Sequence, residues 1–83
     1  MSLICLLRRK TPKKIFEVLL SKRHLSHGQL AEEVAVTSQA LTWQMKTLKD
    51  TQLILHVNEG LRIVYSIDQS AAPLLEKYLS IVD

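Results

Sequence analysis

The fold of this chain is decided by residues 26–67, which read SHGQLAEEVAVTSQALTWQMKTLKDTQLI (26–54) and then LHVNEGLRIVYSI (55–67). In the first part, apolar residues recur at helical spacing on both sides of a short turn near Ala35. In the second part, β-branched and aromatic residues predict two strands joined by a turn at 58–60. The stretch therefore predicts two short amphipathic helices followed by a β-hairpin.

The ends of the two helices carry recognisable capping residues. Ser26 and Gln29 have the spacing of a capping box, in which each side chain satisfies a backbone N–H that the helix leaves unpaired. Thr37 or Ser38 is expected to cap the next helix, which is predicted over residues 38–51.

Further elements are expected on both sides of this stretch. Thr11 is suited to cap a helix over residues 12–22, and Leu25 predicts a very short strand. At the other end, Asp68 or Ser70 is expected to open a last helix. The predicted order is helix, short strand, helix, helix, strand, strand, helix, which is a mainly α domain with a small β-hairpin (α+β).

Length and composition limit the kind of protein. Eighty-three residues make one small domain, with an N-terminal apolar and basic segment (1–11), a core (12–68) and a C-terminal helix (69–83). The net charge of +3 permits a polyanionic partner without requiring one. A single cysteine, Cys5, cannot form an internal disulfide, so an intracellular, cytoplasmic location is predicted. Cys5 itself is expected to be a small buried apolar residue. The apolar run near the start is too short to span a bilayer, and no membrane association is expected.

The helix predicted over residues 38–51 has two chemically different faces. Leu41, Met45 and Leu48 lie on one side and are expected to hold the helix on the core. The opposite side carries hydrogen-bonding groups, one aromatic ring and one cation, on Gln39, Thr42, Trp43 and Lys46. Glutamine can pair with adenine edges, and threonine can touch a phosphate or a thymine methyl group. This outer face therefore favours contact with a partner.

Two residue types on this helix point to the kind of contact. Lys46 and Lys49 can neutralise phosphates. An exposed tryptophan is unusual in a monomer, so Trp43 is expected either to meet DNA or a protein partner or to fold back on residues 3–7.

No catalytic or metal-binding arrangement is recognised in the sequence. Two glycines are too few for a phosphate loop, and no glycine-flanked nucleophile occurs, so an enzyme is not expected. His24 and His27 have a spacing found in zinc sites, but without cysteine or a close carboxylate they are expected to be surface histidines. His56 is expected to face solvent or DNA. Neither a metal ion nor another cofactor is predicted.

The order of these elements, with the run from Thr37 to Leu48, resembles the winged helix-turn-helix domain, especially that of ArsR-like transcription regulators of the archaeal type. The resemblance covers roughly residues 12–82. It implies that the helix 38–51 enters the major groove of double-stranded DNA and that the hairpin 54–67 is the wing beside it. By the resemblance, bases or phosphates would be contacted by Ser38, Gln39, Thr42, Trp43 and Lys46, and in the wing by Arg62.

The same resemblance implies a homodimer. Members of the family usually associate through their first and last helices, so that two recognition helices reach major grooves about 34 Å apart. The residues that fit this role here are apolar and lie near the two ends of the chain: Leu3, Ile4, Leu6, Leu7, Leu75, Tyr78, Leu79 and Val82.

This sequence departs from the family pattern at three places. Ala35 and Gln52 stand where the family usually has glycine. The second of these positions often needs a left-handed backbone, so either Gln52 is strained or the helix ends differently. The wing carries Glu59 beside Arg62 and is only weakly basic.

Two functions from different classes remain open. The first is a dimeric DNA-binding transcriptional regulator, and the second is a winged-helix module that binds another protein without sequence-specific DNA contact. A continuous positive band through residues 8–10, Lys46, Lys49 and Arg62 would favour DNA. A neutral apolar patch around Trp43 would favour a protein partner.

Overall fold

The computed structural model describes residues 9–82, with the side chains of residues 9–81. Its elements in chain order are α1 (Lys10–Lys22), β1 (His24–Ser26), α2 (His27–Glu33), α3 (Ser38–Lys49), β2 (Ile54–Glu59), β3 (Arg62–Ile67) and α4 (Ala72–Val82). This confirms the predicted α+β winged helix architecture and its order of elements. None of the helices within residues 9–82 has the length and apolar character needed to cross a bilayer. The expectations for Leu3, Ile4, Cys5, Leu6, Leu7 and Arg8 fall outside the described residues.

The three strands form one antiparallel sheet in the order β1–β3–β2. Glu59 and Arg62 are the last paired residues of the hairpin, so Gly60 and Leu61 alone form its loop. Gly60 has a φ of 62°, and glycine at the first loop position is typical of a type II′ turn. The turn is therefore shorter than the predicted 58–60 turn and lies closer to the second strand.

A single apolar core holds the helices on the sheet. Leu41, Met45 and Leu48 project from the inner face of α3 and are at most 1% exposed, as predicted. They belong to one buried cluster to which every other helix and strand contributes. Its other members include Ile15, Phe16, Leu19, Leu25, Leu30, Ile54, Tyr65, Ile67, Leu75 and Leu79. Because the inner face of α3 is fixed in this way, the outer face of α3 points to solvent.

The start of α1 differs from the prediction. Arg9 is the N-cap residue and makes no side-chain capping bond, so Thr11 lies inside the helix and is not its cap. Pro12 consequently occupies the third helical position rather than the first. The first turn has no intrahelical acceptor for its N–H groups, so a proline is tolerated at either position.

The start of α4 is also later than predicted, at Ala72 rather than residue 69. The carboxylate of Asp68 accepts hydrogen bonds from the backbone N–H (3.0 Å) and the hydroxyl (2.8 Å) of Ser70. The Asp68 carboxylate, which could have capped a helix, is therefore used in a local turn. The helix begins after that turn.

The helix-turn-helix is held by its caps. The Ser26 hydroxyl accepts from the Gln29 N–H (3.3 Å), and the Gln29 side-chain oxygen accepts from the Ser26 N–H (3.1 Å), which confirms the capping box. Of the two candidates for the next cap, Thr37 is the one used, since its hydroxyl accepts from the Ala40 N–H (3.1 Å).

The end of α3 lies at Lys49, two residues before the predicted end at 51. The N–H groups of the next three residues bond to carbonyls three residues back rather than four, which tightens the chain into a turn. Thr51 donates its hydroxyl to the Leu48 carbonyl (2.6 Å) and accepts from the Leu53 N–H (3.2 Å). Gln52 completes the turn with a φ of 62°.

Both positions at which the family usually has glycine adopt a left-handed backbone in this chain. Ala35 has a φ of 58° and Gln52 a φ of 62°. A residue with a Cβ atom in this conformation costs about 1–2 kcal/mol relative to a right-handed one. The left-handed conformation considered for Gln52 is therefore present, and α3 also ends earlier than predicted.

Replacing Ala35 with glycine is expected to raise the free energy of unfolding by about 0.5–1 kcal/mol. Glycine removes the left-handed strain, and this gain exceeds the extra entropy that glycine adds to the unfolded chain. Urea denaturation measures the difference.

Ala40→Gly is the matched control because Ala40 lies in regular helix on the same helix-turn-helix. There the same change should lower the free energy of unfolding by about 1 kcal/mol. Destabilisation by Ala35→Gly as well would contradict the strain assigned to Ala35.

Candidate nucleic-acid interface

An open groove of about 750 Å³ lies between α3 and the wing, the β2–β3 hairpin. Side chains of α3 form one wall and residues at the start of β3 form the other. His27 and Tyr65 also line the groove, together with Ser26, Gly28, Ser38, Thr42, Met45, Lys46, Lys49, Leu61, Arg62 and Ile63. The groove therefore joins the outer face of the helix to the wing in one continuous surface.

The groove is positively charged. Lys46, Lys49 and Arg62 all line it, and none of the residues that line it carries a carboxylate. The Lys46 ammonium lies 5.5 Å from the centre of the Trp43 ring, and that of Lys49 lies 5.8 Å from the centre of the Tyr65 ring. The attraction between each ammonium group and its aromatic ring helps to hold both lysine side chains along the groove. Three of the residues proposed for a positive band are thus brought together.

The outer face of α3 is exposed, as the helical spacing predicted. Ser38, Gln39, Thr42, Trp43 and Lys46 are all accessible to solvent. Trp43 is 68% exposed, so it is not packed on any part of the domain that the structure describes. A large aromatic side chain in this position is available for a partner.

The hydroxyl of Thr42 is partly committed within the protein. It donates to the Ser38 carbonyl (3.0 Å) and lies 3.3 Å from Nε2 of His27. Thr42 therefore has no hydroxyl hydrogen free to donate to a base while this bond is kept. Thr42 can therefore contact DNA only through its methyl group or as a hydrogen-bond acceptor. Of the two contacts predicted from the sequence, the one with a thymine methyl group remains possible, and donation to a phosphate does not.

His27 is not the surface histidine that its sequence neighbourhood predicted. Its ring is half-buried, with Nδ1 2.9 Å from the Tyr65 hydroxyl oxygen and Nε2 2.9 Å from the Ser38 carbonyl oxygen. Tyr65 is 38 positions away in the chain, so no local sequence pattern predicts this contact. His24 and His56 are exposed, as expected. Within residues 9–82, no group of three or more His, Cys, Asp or Glu side chains could hold a metal ion.

The wing combines one cation and one carboxylate near its tip. Arg62 and Glu59 are exposed and lie directly opposite each other on the two strands. Leu61 in the loop is fully exposed. The weakly basic wing expected from the sequence therefore presents Arg62 to the groove and an apolar side chain at its end.

The residues predicted for dimerisation divide into separate groups. Leu75 and Leu79 are buried in the core of the chain itself, at 0% and 7% exposure, because the inner side of α4 packs on the domain. Tyr78 is half-buried against the same core. Leu74 and Ile81 are the large apolar residues that α4 leaves exposed. Leu3, Ile4, Leu6, Leu7 and the side chain of Val82 lie outside the described part.

The helix-turn-helix followed by the β-hairpin defines the class of protein, the winged helix-turn-helix fold. Over residues 8–54 the sequence matches the family described as winged helix-turn-helix DNA-binding, and the chain belongs to that family. A comparison with curated protein sequences found no match.

Solved structures share this fold. The chain is similar to the AntR antimony-specific transcriptional repressor, with 24% identity and a TM-score of 0.77 over 94% of this chain and 71% of that one. It is similar to NolR from Sinorhizobium fredii, with 20% identity and a TM-score of 0.80 over 95% and 78%. It is similar to NadR in complex with 4-hydroxyphenylacetate, with 18% identity and a TM-score of 0.78 over 90% and 55%. This chain thus spans about half the length of NadR, and at these identities the likeness is one of fold.

Proposed function

We propose that this chain is a transcriptional regulator of the ArsR-like group that binds double-stranded DNA as a homodimer in the cytoplasm. In this proposal α3 lies in the major groove and the β2–β3 hairpin is the wing beside it. The observation that supports it most is the groove, which joins three cations to an exposed helix face and is lined by no carboxylate. The archaeal type within that group remains a prediction from the sequence.

The side chains divide into those that read bases and those that hold phosphates. Gln39 and Trp43 project from the exposed face of α3, where an amide can pair with a base edge and a ring can contact a thymine methyl group. Lys46 and Lys49 from the helix and Arg62 from the wing line opposite walls of the groove, where a DNA backbone would lie between them. Ser38, at the helix start, is placed to meet a phosphate.

Dimerisation is part of the proposal and rests on α4 together with the N-terminal segment. Leu74 and Ile81 are 48% and 64% exposed, and a partner would meet this helix through them rather than through the buried Leu75 and Leu79. The apolar residues Leu3, Ile4, Leu6 and Leu7 are available in sequence to enlarge that contact, with Tyr78 and Val82. A dimer would bind two half-sites about 34 Å apart along the DNA.

Binding to a random panel of duplexes should be strongly salt-dependent. A dimer with three phosphate contacts in each protomer should show log K against log salt with a slope of about −5. This corresponds to a loss of affinity of about 10³-fold between ~50 and ~200 mM salt. Fluorescence anisotropy with labelled duplexes measures the slope, and light scattering measures the mass of the free protein. Absence of binding at every salt concentration would refute the proposal.

The second candidate, a protein-interaction module, is favoured by two exposed apolar side chains. Trp43 lies on the outer face of α3, and Leu61 lies at the wing tip beside the same groove. A module of this kind would bind its partner mainly by apolar contact and would show little dependence on salt. The salt series therefore separates the two functions.

A further inference from the structure

Two hydrogen bonds of the His27 side chain connect α3 to the wing. One ring nitrogen of His27 lies 2.9 Å from the Tyr65 hydroxyl oxygen in β3, and the other lies 2.9 Å from the Ser38 carbonyl oxygen in the first turn of α3. The rings of His27 and Tyr65 are also in contact, with centres 5.8 Å apart and planes tilted by 50°. One side chain of α2 therefore bonds to elements on both sides of the groove.

The partners of His27 determine which ring nitrogen carries the hydrogen. A carbonyl oxygen can only accept, so Nε2 must be the nitrogen that donates to Ser38. In the neutral ring, Nδ1 then carries the lone pair and accepts from the Tyr65 hydroxyl. Tyr65 is buried, and burial raises the pKa of its hydroxyl above the ordinary value, which keeps the hydroxyl protonated and able to donate.

We propose that His27 is a positioning residue that holds α3 at a fixed separation from the wing and so sets the sequence discrimination of the groove. The inference rests on the proposed DNA binding. The Ser38 carbonyl accepts from both the Thr42 hydroxyl and Nε2 of His27, so a shift of the ring would move the first turns of α3. Hydrogen bonds to base edges tolerate little displacement, whereas the long side chains of Lys46 and Lys49 can follow a phosphate.

The test compares His27→Leu, Tyr65→Phe and the double variant on a duplex selected from a random library by the wild-type protein. Leucine has neither a donor nor an acceptor, so His27→Leu breaks both bonds of the bridge, whereas Tyr65→Phe breaks only the bond to β3. Each single variant should reduce the ratio of specific to non-specific affinity about 3- to 10-fold. The double variant should be no worse than His27→Leu alone, because the bond that Tyr65→Phe removes is already lost with the imidazole ring. The salt slope should stay that of the wild type, since no phosphate contact is removed.

His24→Leu is the matched control, since His24 is exposed on β1 and does not line the groove. All variants are compared at a temperature at which circular dichroism shows them fully folded. Lower melting temperatures with an unchanged specificity ratio would mean that His27 only stabilises the fold, which overturns the inference. Additive losses in the double variant would overturn it as well.

The tautomer provides a test that does not depend on DNA. Nitrogen-15 NMR of the imidazole at about pH 8.5 should show the neutral ring of His27 with its hydrogen on Nε2. Tyr65→Phe should leave that tautomer in place but shift the Nδ1 resonance, because Nδ1 loses its donor. A hydrogen on Nδ1 in the wild type would overturn the inference. If the wild type selects no duplex, the proposed function fails, and the effect of Tyr65→Phe on the Nδ1 resonance still decides whether His27 bridges α2 to the wing.

Discussion

The triple variant Lys46→Ala, Lys49→Ala, Arg62→Ala is expected to bind double-stranded DNA on the order of 10³-fold more weakly than the wild type at ~0.1 M salt, or to lose binding altogether. The three side chains are the cations of the groove, and they act on it from both walls. Each phosphate contact contributes about 0.9 to the salt slope, so a dimer that lacks six such contacts should lose a slope of about 5. Anisotropy titrations at several salt concentrations measure both quantities.

A charge-matched control distinguishes the effect of the groove cations on DNA binding from the effect of net charge. Lys14, Lys22 and Lys77 are exposed and do not line the groove, so their triple replacement by alanine removes the same charge from other surfaces. That variant should lose only the weak long-range attraction that the overall charge provides. Equal losses in the two triple variants would show that the groove is not where DNA binds.

The second large effect is on stability. Leu41→Ala should lower the free energy of unfolding by about 2–5 kcal/mol, because Leu41 is fully buried and its removal leaves a cavity between α3 and the core. Small domains have total stabilities of about 5–15 kcal/mol, so a loss of this size would unfold a noticeable fraction of the protein. Urea denaturation followed by circular dichroism measures it.

Trp43→Ala is the control on the opposite face of the same helix. Trp43 is 68% exposed, so its removal should change the free energy of unfolding by less than about 0.5 kcal/mol while weakening binding to the selected duplex. A loss of stability like that of Leu41→Ala would place Trp43 in a packed contact and would contradict the division of α3 into two faces.

The parts of the fold that depend on local sequence were predictable. The spacing of Leu41, Met45 and Leu48 gave the inner face of α3, and the capping box at Ser26 and Gln29 gave the start of α2. Element ends were less accurate because a proline is tolerated at several positions of a first turn, and because a side chain such as Asp68 can form a turn instead of a cap.

Of the candidate site, only the part formed by a single helix could be predicted from the sequence. Helical spacing put Lys46 and Lys49 on or near one exposed face, but their meeting with Arg62 depends on how the hairpin folds back beside α3. The contact of His27 with Tyr65 joins residues from different elements and leaves no periodic trace in the sequence. Likewise, the burial of Leu75 and Leu79 depends on which side of α4 meets the domain, which an apolar stripe alone does not determine.

The position of Trp43 has a practical consequence for spectroscopy. It is the only tryptophan of the chain, and it lies in solvent on the outer face of α3 rather than in the core. Tryptophan emission excited selectively therefore originates from one point of the molecular surface and carries no signal from the packed interior. The protein contains its own optical reporter of whatever approaches that helix, and no dye needs to be attached.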